Sequence, residues 1–154
     1  MLQMSFIALS VLLLGGWSSS GHAAPEPAPE LSPREVVSIQ LNALKTPDDP
    51  EPDAGIATAF AFAHPANKAV TGPLPRFIRM LKGPQYSDLL GHRSHALEVV
   101  ETGGERVIFA VTVTTQEGQL LGYRWQVDKV ADGELAGAWM TTAVSPPVPL
   151  GQGI

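Results

Sequence analysis

The chain has no cysteine among its 154 residues. That excludes disulfides, thiol chemistry, thiolate metal sites and lipid attachment at Cys, so a folded domain has to rest on its apolar core. Positive charge is also scarce: Lys and Arg number 10 against 15 Asp and Glu, for a net charge of −5. A nucleic-acid binder needs a basic face to neutralise phosphates, so that class is disfavoured. A stable membrane span is not expected either. The apolar run Phe6–Leu14, interrupted only by Ser10, falls well short of the ~20 residues that cross a bilayer. Neither a glycine-rich phosphate loop, nor a metal-ligand motif, nor a nucleophile motif occurs in the sequence. No cofactor and no metal are expected.

What is present begins with an export pattern. Residues 1–23 hold no Asp, Glu, Lys or Arg, and the apolar run gives way to small and polar residues from Gly15 to Gly21, then Ala23-Ala24. This is the shape of a secretory signal peptide. Gly21 and Ala23 take the two small-residue positions before the cut, and Ala24 becomes the new N-terminus. No Lys or Arg precedes the run, so the α-amino group alone supplies charge there. Residues 24–31 read as a proline-spaced linker with nothing to bury. Residues 32–146 read as one domain, and 147–154 as a disordered proline- and glycine-rich tail.

The domain opens with helices. Ser32, Pro33 and Glu35 make an N-cap, a first-turn proline and a capping box, and Val37, Leu41 and Leu44 recur at helical spacing up to Lys45. Asp53 is read as the cap of a second helix, from Ala54 to about Ala63, whose alanines permit close packing. His64-Pro65-Ala66-Asn67 is read as a stop and turn, and Thr71-Gly72-Pro73 as a break. Pro75 opens a third helix with Phe77, Ile78 and Leu81 inward; Tyr86–Leu90 adds a helical turn or two. From His95 the period becomes two. Gly103-Gly104, Gln116–Gln119 and Asp132-Gly133 separate four strands, which hairpin-length turns require to pair in order. The inward faces are Val107, Phe109, Val111 and Val113, then Leu121, Tyr123, Trp125 and Val127. The fold class expected is α+β: N-terminal helices packed on a curved four-stranded antiparallel meander.

Asp53-Ala-Gly-Ile56, Ala59-Phe-Ala-Phe-Ala63, Pro65-Ala-Asn-Lys68, Thr71-Gly-Pro-Leu74 and Arg76-Phe77 follow in tight succession. Tyr86, Leu89-Leu90, His92-Arg93 and Gly137 with Trp139-Met140-Thr141 complete the set. Over roughly Ser32 to Pro146 the chain resembles an uncharacterised family of bacterial and plastid proteins, catalogued as a domain of unknown function (number 4864). The architecture this resemblance implies is similar to the cone-shaped α+β fold of nuclear transport factor two, SnoaL-like cyclases and ketosteroid isomerase. That fold hosts enzymes, ligand binders and assembly modules, so it does not decide function. Ala138 stands where the resemblance implies Cys in some relatives. The implied location is periplasmic or secreted, or the thylakoid lumen for a plastid-type chain.

The candidate site residues each have a plainer account. Tyr86, Tyr123, Trp125 and Trp139 are the best pocket candidates, because aromatics with one polar tip can line a cavity and orient a ligand; the alternative is plain core. Asp53 is a pocket carboxylate or simply a helix cap. Arg76, Arg79 and Lys82, with Arg93, form a basic stripe for an anion or an acidic partner, or else a solvated face. His92 and His95, with His64 upstream, lie at ligand-like spacing, but Gly91 breaks the helix; His92-Arg93 would instead tie carbonyls at a helix end. Glu98 and Asp128 read as strand charges facing water. No catalytic residue is assigned. The leading expectation is an exported, non-catalytic module that binds a small apolar ligand or a protein partner. Its rival is a cofactor-free isomerase or dehydratase using Asp53 or Tyr86. A homodimer through Ile108, Ala110, Thr112 and Thr114 is a third reading.

Overall fold

The computed structural model describes residues 21 and 23–153. The expected export leader, residues 1–23, lies almost wholly outside them, and so does Ile154.

Four helices precede the sheet. Helix α1, Pro33–Lys45, starts where the capping box places it: Ser32 Oγ accepts the Glu35 N–H at 3.2 Å, and the Glu35 carboxylate accepts the Ser32 N–H at 2.7 Å. Those bonds hold the Glu35 carboxyl below its ordinary range. Its buried stripe is Val36, Val37, Gln40, Leu41 and Leu44. Helix α2, Ala54–Ala61, crosses α1 closely at Gly55.

Helix α3, Pro65–Thr71, occupies the stretch read from sequence as a stop and turn. The proline sits at the first helical position, where its missing N–H is no loss. His64 completes the cap, its Nδ1 accepting the Ala66 N–H at 3.1 Å. Helix α4, Leu74–Lys82, buries Phe77 and Leu81. A single 3-10 turn, Ser87–Leu89, ends the helical half.

Strands β1 (Ser94–Thr102), β2 (Arg106–Thr114), β3 (Gln119–Lys129) and β4 (Trp139–Val144) pair antiparallel in chain order, as the turns require. The sheet has a fifth strand where a disordered tail was expected: β5, Val148–Gln152, pairs with β3. The register explains it. β4 covers β3 from Trp125 to Lys129, which leaves Gln119–Gly122 with an open edge that β5 fills. Ser145 bridges the gap, its N–H reaching the Arg124 carbonyl at 2.9 Å. The last meander strand, which the sequence pattern places from Leu135 to Val144, starts only at Trp139. Gly137 sits at φ 83°, a left-handed conformation that breaks an extended run. Leu135, Ala138, Met140 and Val130 form a small separate core there.

The main core lies between the helices and one sheet face. Val107, Phe109, Val111 and Val113 of β2, and Leu121, Tyr123, Trp125 and Val127 of β3, meet the α1 stripe, Ile56, Phe62, Phe77 and Leu81. The class is α+β with an open sheet.

Candidate functional site

A cavity of about 190 Å³ lies where the helices fail to fill the space above β3 and β4. The reason is small side chains: Ala59, Ala63 and Ala143 line it where longer residues would close it. Leu44, Phe77, Met80, Leu81, Leu89 and Val144 make its walls apolar. Polar groups enter from four elements: Gln40 from α1, Asn67 and Thr71 from α3, Tyr86 before the 3-10 turn, and Trp125 and Thr141 from the sheet.

Gln40, 3% exposed, is the centre of this arrangement. Its Oε1 accepts from Trp125 Nε1 at 3.1 Å and from Thr141 Oγ1 at 2.5 Å. Its Nε2 donates to the Ala59 carbonyl at 3.0 Å. That last bond answers a standing need. The final carbonyls of a helix have no partner within the helix, and α2 ends in a buried place. Phe62 N–H reaches Thr58 O, Gln40 reaches Ala59 O, Ala63 N–H reaches Phe60 O, and Lys68 Nζ reaches Ala61 O at 3.2 Å. Every terminal carbonyl of α2 is thus satisfied, two by local backbone turns and two, those of Ala59 and Ala61, by side chains from α1 and α3. Lys68 sits half-buried over the Phe60 ring, and burial lowers its pKa.

On the other wall, Asn67 Nδ2 donates to the Thr141 carbonyl at 3.1 Å, and Thr71 Oγ1 donates to the Asn67 carbonyl at 3.0 Å. Asn67 therefore ties α3 to β4. Tyr86 donates its hydroxyl proton to the Val144 carbonyl at 2.9 Å, and burial raises its pKa.

The expected site residues divide. Tyr86 and Trp125 line the cavity. Tyr123 is core, 3% exposed, with a hydroxyl that has no partner among the described residues. Burial, then the Asp88 and Tyr86 charges, push that hydroxyl's pKa well up. Trp139 packs half-buried at the sheet edge beneath the Lys129 ammonium, 5.3 Å from the ring centre, and is not part of the lining.

Asp53 is neither a pocket carboxylate nor a side-chain cap. It occupies the cap position, but with φ 64°, where an N-cap needs extended backbone to aim its oxygen at the helix N–H groups. Its carboxylate pairs instead with Lys82 Nζ at 2.7 Å. The basic stripe is broken as a result. Lys82 is neutralised by Asp53, which raises its pKa, and Arg93 donates to the Gln116 carbonyl at 2.8 Å. Of the four, Arg76 and Arg79 are exposed with neither an ion pair nor a side-chain hydrogen bond among the described residues.

Asp128 is less water-facing than its strand position implies. It accepts from Gln126 Nε2 at 2.9 Å, from Arg106 Nε at 2.6 Å and from Thr142 Oγ1. Burial opposes its ionisation, yet these donors hold its pKa below the ordinary value.

His92 and His95 pair with each other, the first buried and the second half-buried. Among the described residues no three His, Cys, Asp or Glu come together as a metal site. His92, 1% exposed, has Nδ1 at 2.7 Å from the Leu89 carbonyl, so that nitrogen carries the proton, as the reading of a helix-end tie requires. Its Nε2 then accepts from His95 Nδ1 at 2.7 Å. Burial lowers both pKa values, and the Lys45 charge at the end of α1 adds to it. A base held below its unfolded value of about 6.5 is favoured neutral in the fold. Its stabilisation is complete above that pH, declines as pH falls towards the folded pKa, and declines no further below it. The thermal midpoint should therefore drop on acidification from pH 7.5 to 5.5, and the His92→Asn/His95→Gln double variant should show a flatter profile. Equal slopes in the two proteins would remove the pair as the cause.

Gln40, Thr71 and Thr141 were not legible as site residues. The available signal was Gln40 itself: an amide in the middle of the Val37, Leu41, Leu44 stripe calls for a buried partner. Compared with protein-family models, with curated proteins and with solved structures, the chain matches none.

Proposed function

We propose that this protein is an exported, non-catalytic binding module, kin to the cone-fold family it resembles, that holds a small and mainly apolar ligand in the cavity above β3 and β4. One observation carries the reading. The lining combines apolar walls with a few convergent, well-held polar groups, the usual makeup of a small-molecule site. The order of helices before an antiparallel sheet supports the kinship.

An isomerase or dehydratase would need a carboxylate or imidazole in the cavity with a partner in reach. None lines it among the described residues. Asp53 is engaged by Lys82, and Tyr86 has a raised pKa and a committed proton. These features favour binding over acid–base chemistry. Pairing of two copies through the outer sheet face is weakened at Ile108, which is only 5% exposed within the single chain.

Native mass spectrometry of protein taken from its own host tests the whole reading. The expected species is a monomer beginning at Ala24 that carries a small non-covalent adduct, and the adduct disappears in an Ala143→Phe variant that fills the cavity rim. A chain still bearing residues 1–23 would reject export. A mass with no adduct, or an adduct indifferent to Ala143→Phe, would reject the binding site.

A further inference from the structure

We propose that the cavity takes an uncharged hydroxyl compound of single-ring size, a phenol or a short-chain alcohol; this rests on reading the cavity as a ligand site. Size comes first. A dry apolar cavity of about 150 Å³ accommodates benzene, and this one measures about 190 Å³. One ring with a small substituent fits, and a fused polycycle does not.

Charge comes second. No Lys, Arg, His, Asp or Glu lines the cavity among the described residues. The nearby cations are already committed, Lys68 to the Ala61 carbonyl and Lys82 to Asp53. A carboxylate or an ammonium would enter without a counter-charge, and an unpaired buried charge is strongly disfavoured.

Hydrogen-bonding capacity decides the head group. The hydroxyl protons of the lining are spent: Thr141 donates to Gln40, Thr71 to the Asn67 carbonyl, and Tyr86 to the Val144 carbonyl. The Trp125 N–H is spent on Gln40 and Thr141. What these hydroxyls retain is lone pairs. The amide nitrogens of Gln40 and Asn67 each have one N–H committed, to Ala59 O and Thr141 O, and an amide nitrogen carries two. The free capacity is thus acceptor oxygens beside amide donors. A single ligand group that both donates and accepts is the complement, and a hydroxyl is the smallest one. A ketone or ether uses only the amide donors; a hydrocarbon uses neither.

Isothermal titration of the intact protein with para-cresol, toluene and para-toluate tests this, with Tyr86→Phe and Ala143→Phe as variants. The expected order is para-cresol tightest, toluene about tenfold weaker for the lost hydrogen bonds, and no heat from para-toluate. Tyr86→Phe should weaken para-cresol and leave toluene unchanged. Toluene equal to para-cresol, or para-toluate binding as well as either, would overturn the hydroxyl class and leave the cavity as a ligand site. Binding of none of the three, or binding unaffected by Ala143→Phe, would overturn both.

Discussion

Replacing Gln40 with Leu is expected to destabilise the fold by about 3 kcal/mol. The substitution nearly conserves volume, so packing contributes little. The loss arises from what is left behind. The Ala59 carbonyl loses the donor that closes the end of α2, and the Thr141 hydroxyl loses its acceptor. Each orphaned buried group costs roughly 1–3 kcal/mol. The Trp125 N–H keeps Thr141 Oγ1 at 3.1 Å and adds little. In a domain of this size the thermal midpoint should fall by about 10 °C. Urea unfolding at constant m-value measures it. A Thr141→Val variant separates this cause from a general packing defect. It leaves the Gln40 bonds to Trp125 Nε1 and to the Ala59 carbonyl in place and removes a hydroxyl without orphaning a partner, so it should cost well under half as much. A loss equal to that of Gln40→Leu would show that the orphaned groups are not the cause.

Gly55→Ala is expected to destabilise by about 2 kcal/mol or more, against the direction that helix propensity indicates. Within α2, alanine in place of glycine would ordinarily stabilise by about 1 kcal/mol. Here a Cβ would fall inside contact distance of the Ala43 carbonyl oxygen and 2.8 Å from Pro47 Cα. Both are backbone, so no side chain can rotate away. The approach is also pinned, because the Gly55 N–H donates to the Pro47 carbonyl at 2.8 Å. Relief requires α1 and α2 to separate, and that would disturb the bond from Gln40 to the Ala59 carbonyl. Chemical denaturation of the variant reads the sign directly. A midpoint at or above that of the parent protein would mean the two helices tolerate separation.

The helix α1 boundaries, the strand pairing and the inward faces of β2 and β3 were all legible beforehand. Each is written in local chemistry: a capping box, hairpin-length turns, and alternation with a period of two. The misreadings occurred where one residue type serves opposite ends. Pro65 breaks a helix from within and starts one at its first position, and only the His64 cap distinguishes the two. Prolines and glycines near the C-terminus look like a tail, yet the uncovered Gln119–Gly122 edge recruits them as β5.

By itself, then, the sequence determined the class: helices before an antiparallel sheet, no thiol chemistry, an acidic surface, and a core drawn from predictable faces. Two of the five pocket candidates, Tyr86 and Trp125, were also named from it. Tertiary structure alone decided the site. Gln40, Thr141, Asn67 and Thr71 lie far apart in the chain and meet only when α1, α3 and β4 close around β3. It also decided that Asp53 pairs with Lys82, since a single backbone angle of 64° turns the side chain away from its helix. A cavity is unfilled volume among several elements, and no local pattern in a sequence encodes a volume.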